Sequence, residues 1–228
     1  MDQRLNFEEV YKIQDGVLAT VSSSQSGFYL TGGTCLNRFY KLRRHSDDLD
    51  LFCNDNELYR DYVREFKKAL LSEGMGLLVE VDSRDFVRMK VESKLRVDLV
   101  NDRLPYVGRI RKSLEGFRID NLENILANKL TAVVGRDDPK DVFDIVTITR
   151  IARFDWSTSL GAALSKSYFE RDYLVYRLKT FPVHLLDQLA VVDPGYLKET
   201  KEALPTIVED ILLGRVNEPV EPLDIPGE

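Results

Sequence analysis

Two aspartates separated by one apolar residue, Asp48-Leu49-Asp50, carry the clearest chemical signal in the sequence, and the strand-like run Leu51-Phe52-Cys53 follows them. Side chains alternate faces along a strand, so Asp48, Asp50 and Phe52 point one way while Leu49, Leu51 and Cys53 point the other. One face can enter a core while the other presents two carboxylates side by side. Carboxylates that close repel each other, and burial raises the pKa of at least one unless a cation stands between them. Hard oxygen donors of this kind suit Mg²⁺. Upstream, Leu30-Thr31-Gly32-Gly33-Thr34 puts two residues without side chains at the end of a short strand, followed by a hydroxyl. Backbone N–H groups freed in such a turn form a concavity for phosphate oxygens. A Gly-Gly hairpin with a solvated acidic face is the plainer reading of the same residues.

Further residues extend the pattern. Leu95, Val97 and Leu99 alternate with Arg96 and Asp98, which places Asp98 in the middle of a strand as a third carboxylate. From Asn121 the period becomes helical, with Leu122, Ile125, Leu126, Leu130 and Val133 in one stripe. At about 100° per residue, Lys129 falls inside that stripe, so it must snorkel to its edge or meet an anion. Asp138 is a natural N-cap, Pro139 a first-turn residue, and Lys140 with Asp144 an i,i+4 pair.

The glycine pair, the gap and the Asp-apolar-Asp-apolar run resemble the nucleotidyltransferase superfamily with the DNA polymerase β-like catalytic fold. More narrowly, Gly32-Gly33-Thr34-Cys35-Leu36 followed by Arg44-His45-Ser46-Asp47-Asp48-Leu49-Asp50 resembles the AbiEii/AbiGii toxin family. Those proteins are toxin components of bacterial toxin–antitoxin and phage-abortive systems. Ile125-Leu126-Ala127-Asn128-Lys129-Leu130-Thr131-Ala132, Gly135-Arg136 and the segment Asp138 to Asp144 resemble it again. The gap between Gly33 and Asp48, fourteen residues, is longer than is usual in the superfamily.

The resemblance implies Mg²⁺ or Mn²⁺ held by Asp48 and Asp50, with Asp98 as base or second-metal ligand. It implies a nucleotide site of Gly32, Gly33, Thr34, Ser46 and Lys129, completed by Lys140, Asp141 and Asp144. The implied reaction moves NMP from an NTP to a hydroxyl and releases pyrophosphate. The implied acceptor is RNA, foremost a tRNA end, and a cognate antitoxin protein is an implied partner in a toxin–antitoxin or phage-defence role. Two alternatives stand beside this: a small-molecule (aminoglycoside-like) or protein hydroxyl as acceptor, and a non-catalytic binding protein that keeps the fold.

The elements that must position these residues follow from the rest of the chain. Its 228 residues suffice for one or two domains with a substantial core. Helices are expected from Asn6 to about Ser22 and from Glu57 to Ser72. Strands are expected at Phe28–Thr31, Asp48–Cys53, Leu77–Val81, Phe86–Glu92 and Leu95–Val100. The expected fold is α/β (α+β): a nucleotidyltransferase lobe with a mixed sheet of about five strands flanked by helices, plus a C-terminal helical bundle. Residues 1–118 are expected to form the catalytic domain, 119–214 a helical domain completing the nucleotide pocket, and 215–228 a flexible acidic tail.

Composition narrows the class. No apolar run approaches the roughly eighteen residues that span a bilayer, and the N-terminus has no signal-peptide core, so a cytoplasmic protein is expected, with no membrane partner. Cys35 and Cys53 read as small buried residues, and their spacing with His45 and His184 matches no zinc pattern. The net charge of −6 is uneven: Asp187 to Glu228 carries three basic and ten acidic residues, whereas Arg84 to Arg118 carries ten basic and five acidic. That basic stretch, with the acid-free run Arg38, Lys41, Arg43, Arg44, is the expected surface for a polyanion.

Overall fold

The computed structural model describes residues 6–24 and 26–223. The chain forms two compact units: Met1–Cys35, Ser46–Leu104 and Arg109–Asp120 make the first, and Leu36–His45, Pro105–Gly108 and Asn121–Glu228 the second. The chain therefore passes between the units several times, not once near residue 118.

In the first unit, α1 (Phe7–Ser23) starts after Asn6, whose side chain accepts the Glu9 N–H. Strand β1 (Tyr29–Thr31) runs into the short helix α2 (Gly32–Cys35). Then come β2 (Asp48–Asn54), α3 (Tyr59–Ser72), β3 (Leu77–Asp82), β4 (Phe86–Val91), β5 (Leu95–Asp102), β6 (Arg111–Lys112) and β7 (Arg118–Ile119). All seven strands join one mixed sheet in the order β3-β4-β5-β2-β1-β7-β6. The five expected strands are all present; β6 and β7 are the two that sequence reading missed, because two residues are too few to show alternation.

The alternation of β2, β4 and β5 decides which face is dry. Leu49, Leu51, Val87, Met89, Val97 and Leu99 are all buried, each contributing about 1.5–3 kcal/mol on burial. The amphipathic helix α3 buries Tyr59, Val63, Phe66 and Leu70, and the Tyr59 hydroxyl donates to the Leu99 carbonyl at 2.8 Å. Phe28 meets Tyr59, Tyr62 and Phe66 edge-on. The opposite face keeps the charged side chains. Cys35 and Cys53 are both buried and free; burial pushes the Cys35 thiol well up, and that of Cys53 to about 11.

The second unit contains α4 (Leu122–Gly135), α5 (Pro139–Ile151), α6 (Trp156–Lys166), α7 (Arg171–Lys179), a 3₁₀ turn at Val183–Gln188 and α8 (Gly195–Leu213). Asn121, Asp138 and Asp155 cap three of these helices with their side chains. Gly214 ends α8 at φ +62°, a conformation that glycine adopts without cost. Among the described residues no helix is long and apolar enough to cross a membrane.

Two expectations need correction here. The acidic tail is docked as far as Leu223. β9 (Val216–Asn217) pairs with β8 (Phe154–Asp155), and Asn217 Nδ2 donates to the carbonyls of Thr149 and Ala152. The Glu221 and Leu223 N–H groups donate to Arg150 and Ile151. Residues 224–228 lie outside the described residues. Half of the basic run is not surface either: Arg43 and Arg44 are almost fully buried, whereas Arg38 and Lys41 are half-buried. Arg43 pairs with Glu199 and Glu221 and lies over the Tyr196 ring. Glu221 of the acidic tail is thus a countercharge of a buried arginine, and against the effect of burial Arg43 and Arg150 hold its carboxyl down to about 2.

Candidate active site

Strand register assembles the three carboxylates. β2 and β5 run parallel with Asp48 opposite Arg96 and Asp50 opposite Asp98; β4 lies on the other side of β5 with Arg88 opposite Asp98. Asp48, Asp50 and Asp98 therefore share one face of the sheet, with two arginines interleaved. Arg88 grips Asp98 through two bonds, Nε to Oδ1 at 2.8 Å and Nη2 to Oδ2 at 2.7 Å. Arg96 donates to Asp48 Oδ2. The carboxylates raise the Arg88 pKa further above its ordinary value, Asp98 foremost. Among the described residues no group of three His, Cys, Asp or Glu side chains is gathered tightly enough to hold a metal ion.

Asp48 is fixed from behind. Thr34 Oγ1 donates to the Asp48 carbonyl at 2.6 Å, and Ser46 Oγ reaches Asp48 Oδ1 at 3.3 Å. Gln14, fully buried on the apolar side of α1, donates to the carbonyls of Ser46 and Asp48. The hydroxyls expected at the nucleotide phosphates are thus turned onto the strand that carries the carboxylates. Sequence reading missed Gln14; the available signal was a polar residue set between Val10 and Val17 in the buried stripe of α1. It also missed Asp120, which is fully buried and accepts from the Thr31 hydroxyl.

Gly32 is the residue most tightly specified by this geometry. Its φ is +71°, and a Cβ there would stand 2.5 Å from Asp50 Oδ2. Both the backbone and the carboxylate exclude a side chain. Gly33, the next residue, is buried at the start of α2. Gly32→Ala is expected to lower turnover by about a hundredfold or more, the order of loss that follows from a misplacement of about 1 Å. Stability should fall by about 1–2 kcal/mol for the left-handed backbone. Steady-state rates beside a thermal melt check this; wild-type rates in the variant would show that Asp50 need not stand where it does.

The remaining candidates gather in the second unit. Asp144, fully buried, accepts from Arg44 Nε and Nη2 at 2.8 Å each. Lys129 Nζ lies 2.7 Å from Asp144 Oδ2 and 2.9 Å from Asp141 Oδ1, and Arg136 Nε bonds Asp141 Oδ2 at 2.7 Å. Three cations thus meet two carboxylates. Burial would raise the Asp144 pKa, but Arg44 and Lys129 hold it down to about 2. Burial likewise disfavours the Lys129 ammonium, and Asp144 with Asp141 more than restores it. Asn37 Oδ1 receives the Arg43 and Arg44 N–H groups, which fixes the segment that brings Arg44 in. Lys140 sits in the first turn of α5, its N–H donating to Asp138 Oδ1.

Two solved structures share this fold over most of their length. JHP933 from Helicobacter pylori aligns at 21% identity with a TM-score of 0.57, over 91% of this chain and 92% of that one. MenT4, a nucleotidyltransferase toxin from Mycobacterium tuberculosis H37Rv, aligns at 14% identity with a TM-score of 0.52, over 88% and 93%. No curated protein matches the sequence. Residues 17–217 match the family model described as nucleotidyl transferase AbiEii toxin of the type IV toxin–antitoxin system. That span takes in the glycine turn, the three-carboxylate face and the Lys129 cluster, and the chain belongs to the AbiEii family of nucleotidyltransferase toxins.

Proposed function

We propose that the protein transfers NMP from an NTP to a hydroxyl of RNA, with Mg²⁺ or Mn²⁺ on Asp48 and Asp50 and pyrophosphate leaving. The observation that carries this reading is the register that sets Asp50 beside Asp98 and Asp48 beside Arg96. The donor chemistry suits a hard divalent cation: Asp48, Asp50 and Asp98 offer carboxylates on one face, with Asp48 and Asp98 held by Arg96 and Arg88, and Gly32 leaves the space that a Cβ would take from Asp50. Bound there, such a cation would polarise phosphate oxygens and offset the charge that develops on the leaving pyrophosphate. Asp98 takes the proton of the acceptor hydroxyl once Arg88 has released it, because both its oxygens otherwise accept from that guanidinium. Gly32 and Gly33 offer backbone N–H groups to phosphates, and Lys129 with Lys140 and Asp144 contributes a nucleotide-binding cluster. A toxin with this activity acts in the cytoplasm, with an antitoxin as its counterpart and phage defence as one setting.

A second acceptor class is favoured by one specific observation. Five of the ten cations of the Arg84–Arg118 stretch are held in ion pairs: Arg88 with Asp98, Lys90 with Glu80, Lys94 with Glu9, Arg96 with Asp48, and Arg103 with Asp55 and Asp85. A small-molecule or protein hydroxyl asks for fewer free cations than a polynucleotide does. Incubation with each α-labelled NTP, Mg²⁺, total RNA and protein extract separates the outcomes. Label is expected in the RNA pool from α-labelled but not γ-labelled NTP and should fall steeply with added salt, and charge reversal at Arg109, Arg111 and Lys112 should weaken it strongly while barely changing NTP binding. Label confined to protein or small molecules would move the acceptor to the second class, and no label anywhere would defeat the transfer reading.

A further inference from the structure

The two arginines on the carboxylate face stand over the acids they hold. The Arg88 side chain is 36% exposed and that of Asp98 9%; Arg96 is 44% exposed and Asp48 15%. A solute approaching this face therefore meets guanidinium groups before carboxylates. Arg88 engages both oxygens of Asp98, at 2.8 and 2.7 Å. Arg96 donates to Asp48 Oδ2, and its Nε lies 3.9 Å from Asp98 Oδ2. Lys90, opposite Arg96 in register, pairs with Glu80 at 2.9 Å.

This arrangement restricts how charge can enter. A divalent cation arriving alone must pass two like charges and break their bonds to Asp48 and Asp98, after which both guanidinium groups are left to water. A triphosphate arriving alone would draw the arginines off and leave neighbouring carboxylates to repel one another. Cation and triphosphate together satisfy both sets. The carboxylate oxygens pass to a hard cation that favours them. The planar guanidinium forks pass to phosphate oxygens, which they match as well as they match a carboxylate.

We infer that Arg88 and Arg96 are triphosphate-binding residues, held on Asp98 and Asp48 until substrate arrives, and that this exchange of partners makes divalent cation and triphosphate bind cooperatively. The inference rests on the nucleotidyl-transfer reading above and adds two residues and an order of events to it. Arg96 stands directly opposite Asp48, so its guanidinium needs little movement to reach a phosphate held beside that carboxylate. Arg88 leaves Asp98 in the same exchange, which frees the carboxylate for the acceptor proton. Coupling of this kind is reciprocal: each ligand tightens the other by the same factor, typically about 5- to 150-fold.

The test uses the full-length protein and two probes without a base: Mn²⁺ alone, followed by the electron paramagnetic resonance of the free ion, and the Mn²⁺ complex of inorganic triphosphate, followed by calorimetry. The double variant Arg88→Gln/Arg96→Gln should bind Mn²⁺ alone at least about tenfold more tightly than wild type, and the complex at least about tenfold more weakly. Adding Asp48→Asn to the double variant should remove the gain in Mn²⁺ affinity, which places the ion on this face. Arg96→Gln alone should shift both affinities in the same two directions, and it carries the test if the double variant does not fold. A purely structural ion pair gives no such opposite shifts from one substitution. Unchanged or lower Mn²⁺ affinity in the folded variants would overturn the inference, as would wild-type affinity for the complex. Neither readout involves transfer of label, so failure here leaves the reaction assigned above standing, and failure of that reaction leaves these affinities to be judged on their own.

Discussion

Asp50→Asn is expected to abolish nucleotidyl transfer while leaving the protein folded. The substitution keeps the shape that packs against Gly32, where any Cβ would stand 2.5 Å from the carboxylate oxygen, and removes only charge. In the proposed role Asp50 would help hold a cation on the triphosphate, and losing such a ligand removes several kcal/mol of charge stabilisation, which is at least about a thousandfold in rate. Asp48→Asn should do the same. Its folded-state cost is small, since the partner Arg96 is exposed and such pairs contribute about 1 kcal/mol or less. Label transfer from α-labelled NTP measures the first effect and a thermal melt the second. Either variant retaining a tenth of wild-type activity would remove these two residues from the chemistry.

Asp144→Ala is expected to have the largest effect on stability of any single substitution in the second unit. It leaves Arg44 without its bidentate acceptor and Lys129 with Asp141 alone, in surroundings where water cannot compensate. Breaking a buried pair by deleting one partner costs about 3–5 kcal/mol, a large share of the roughly 5–15 kcal/mol that a domain has. The pH dependence has a definite sign. The Asp144 carboxyl is held at about 2 in the folded protein, below its unfolded value of about 3.9. Its contribution is therefore complete above about pH 4 and is lost as pH falls toward 2. Wild-type stability should drop steeply across that window, and the variant should show a shallower drop from a lower start. Urea melts between about pH 2 and 7 would show this, and equal slopes in the two proteins would remove Asp144 from the acid transition. Lys129→Met separates the two roles of the lysine, because a phosphate contact would show as lost NTP binding beyond the loss of stability.

The sequence made the placement of the three carboxylates in the first unit largely readable. Asp48, Asp50 and Asp98 sit in strands whose strict alternation declares one face polar, and those strands form where alternation places them. Pairing was not readable. Only register shows that Arg88 stands opposite Asp98 and Arg96 opposite Asp48, and single-strand alternation carries no information about its neighbour. The arginines that looked like a basic surface were thus partly the countercharges of the site itself. Lys129 was legible as a lysine in an apolar stripe that needed an anion. That Arg44 would share the anion was not, since the two residues are far apart in sequence and meet only in the folded unit. The acidic C-terminus misled for the same reason: composition reports charge, and the buried cations that receive it lie more than a hundred residues earlier.

That long reach has a consequence for synthesis. Arg43 and Arg44 leave the ribosome early, yet their partners Asp144, Glu199 and Glu221 follow much later. Contacts so distant in sequence close slowly, since the loop entropy is spent before any contact repays it. The second unit therefore stays unfinished while Glu221 is still in the exit tunnel, long after Arg43 and Arg44 have emerged.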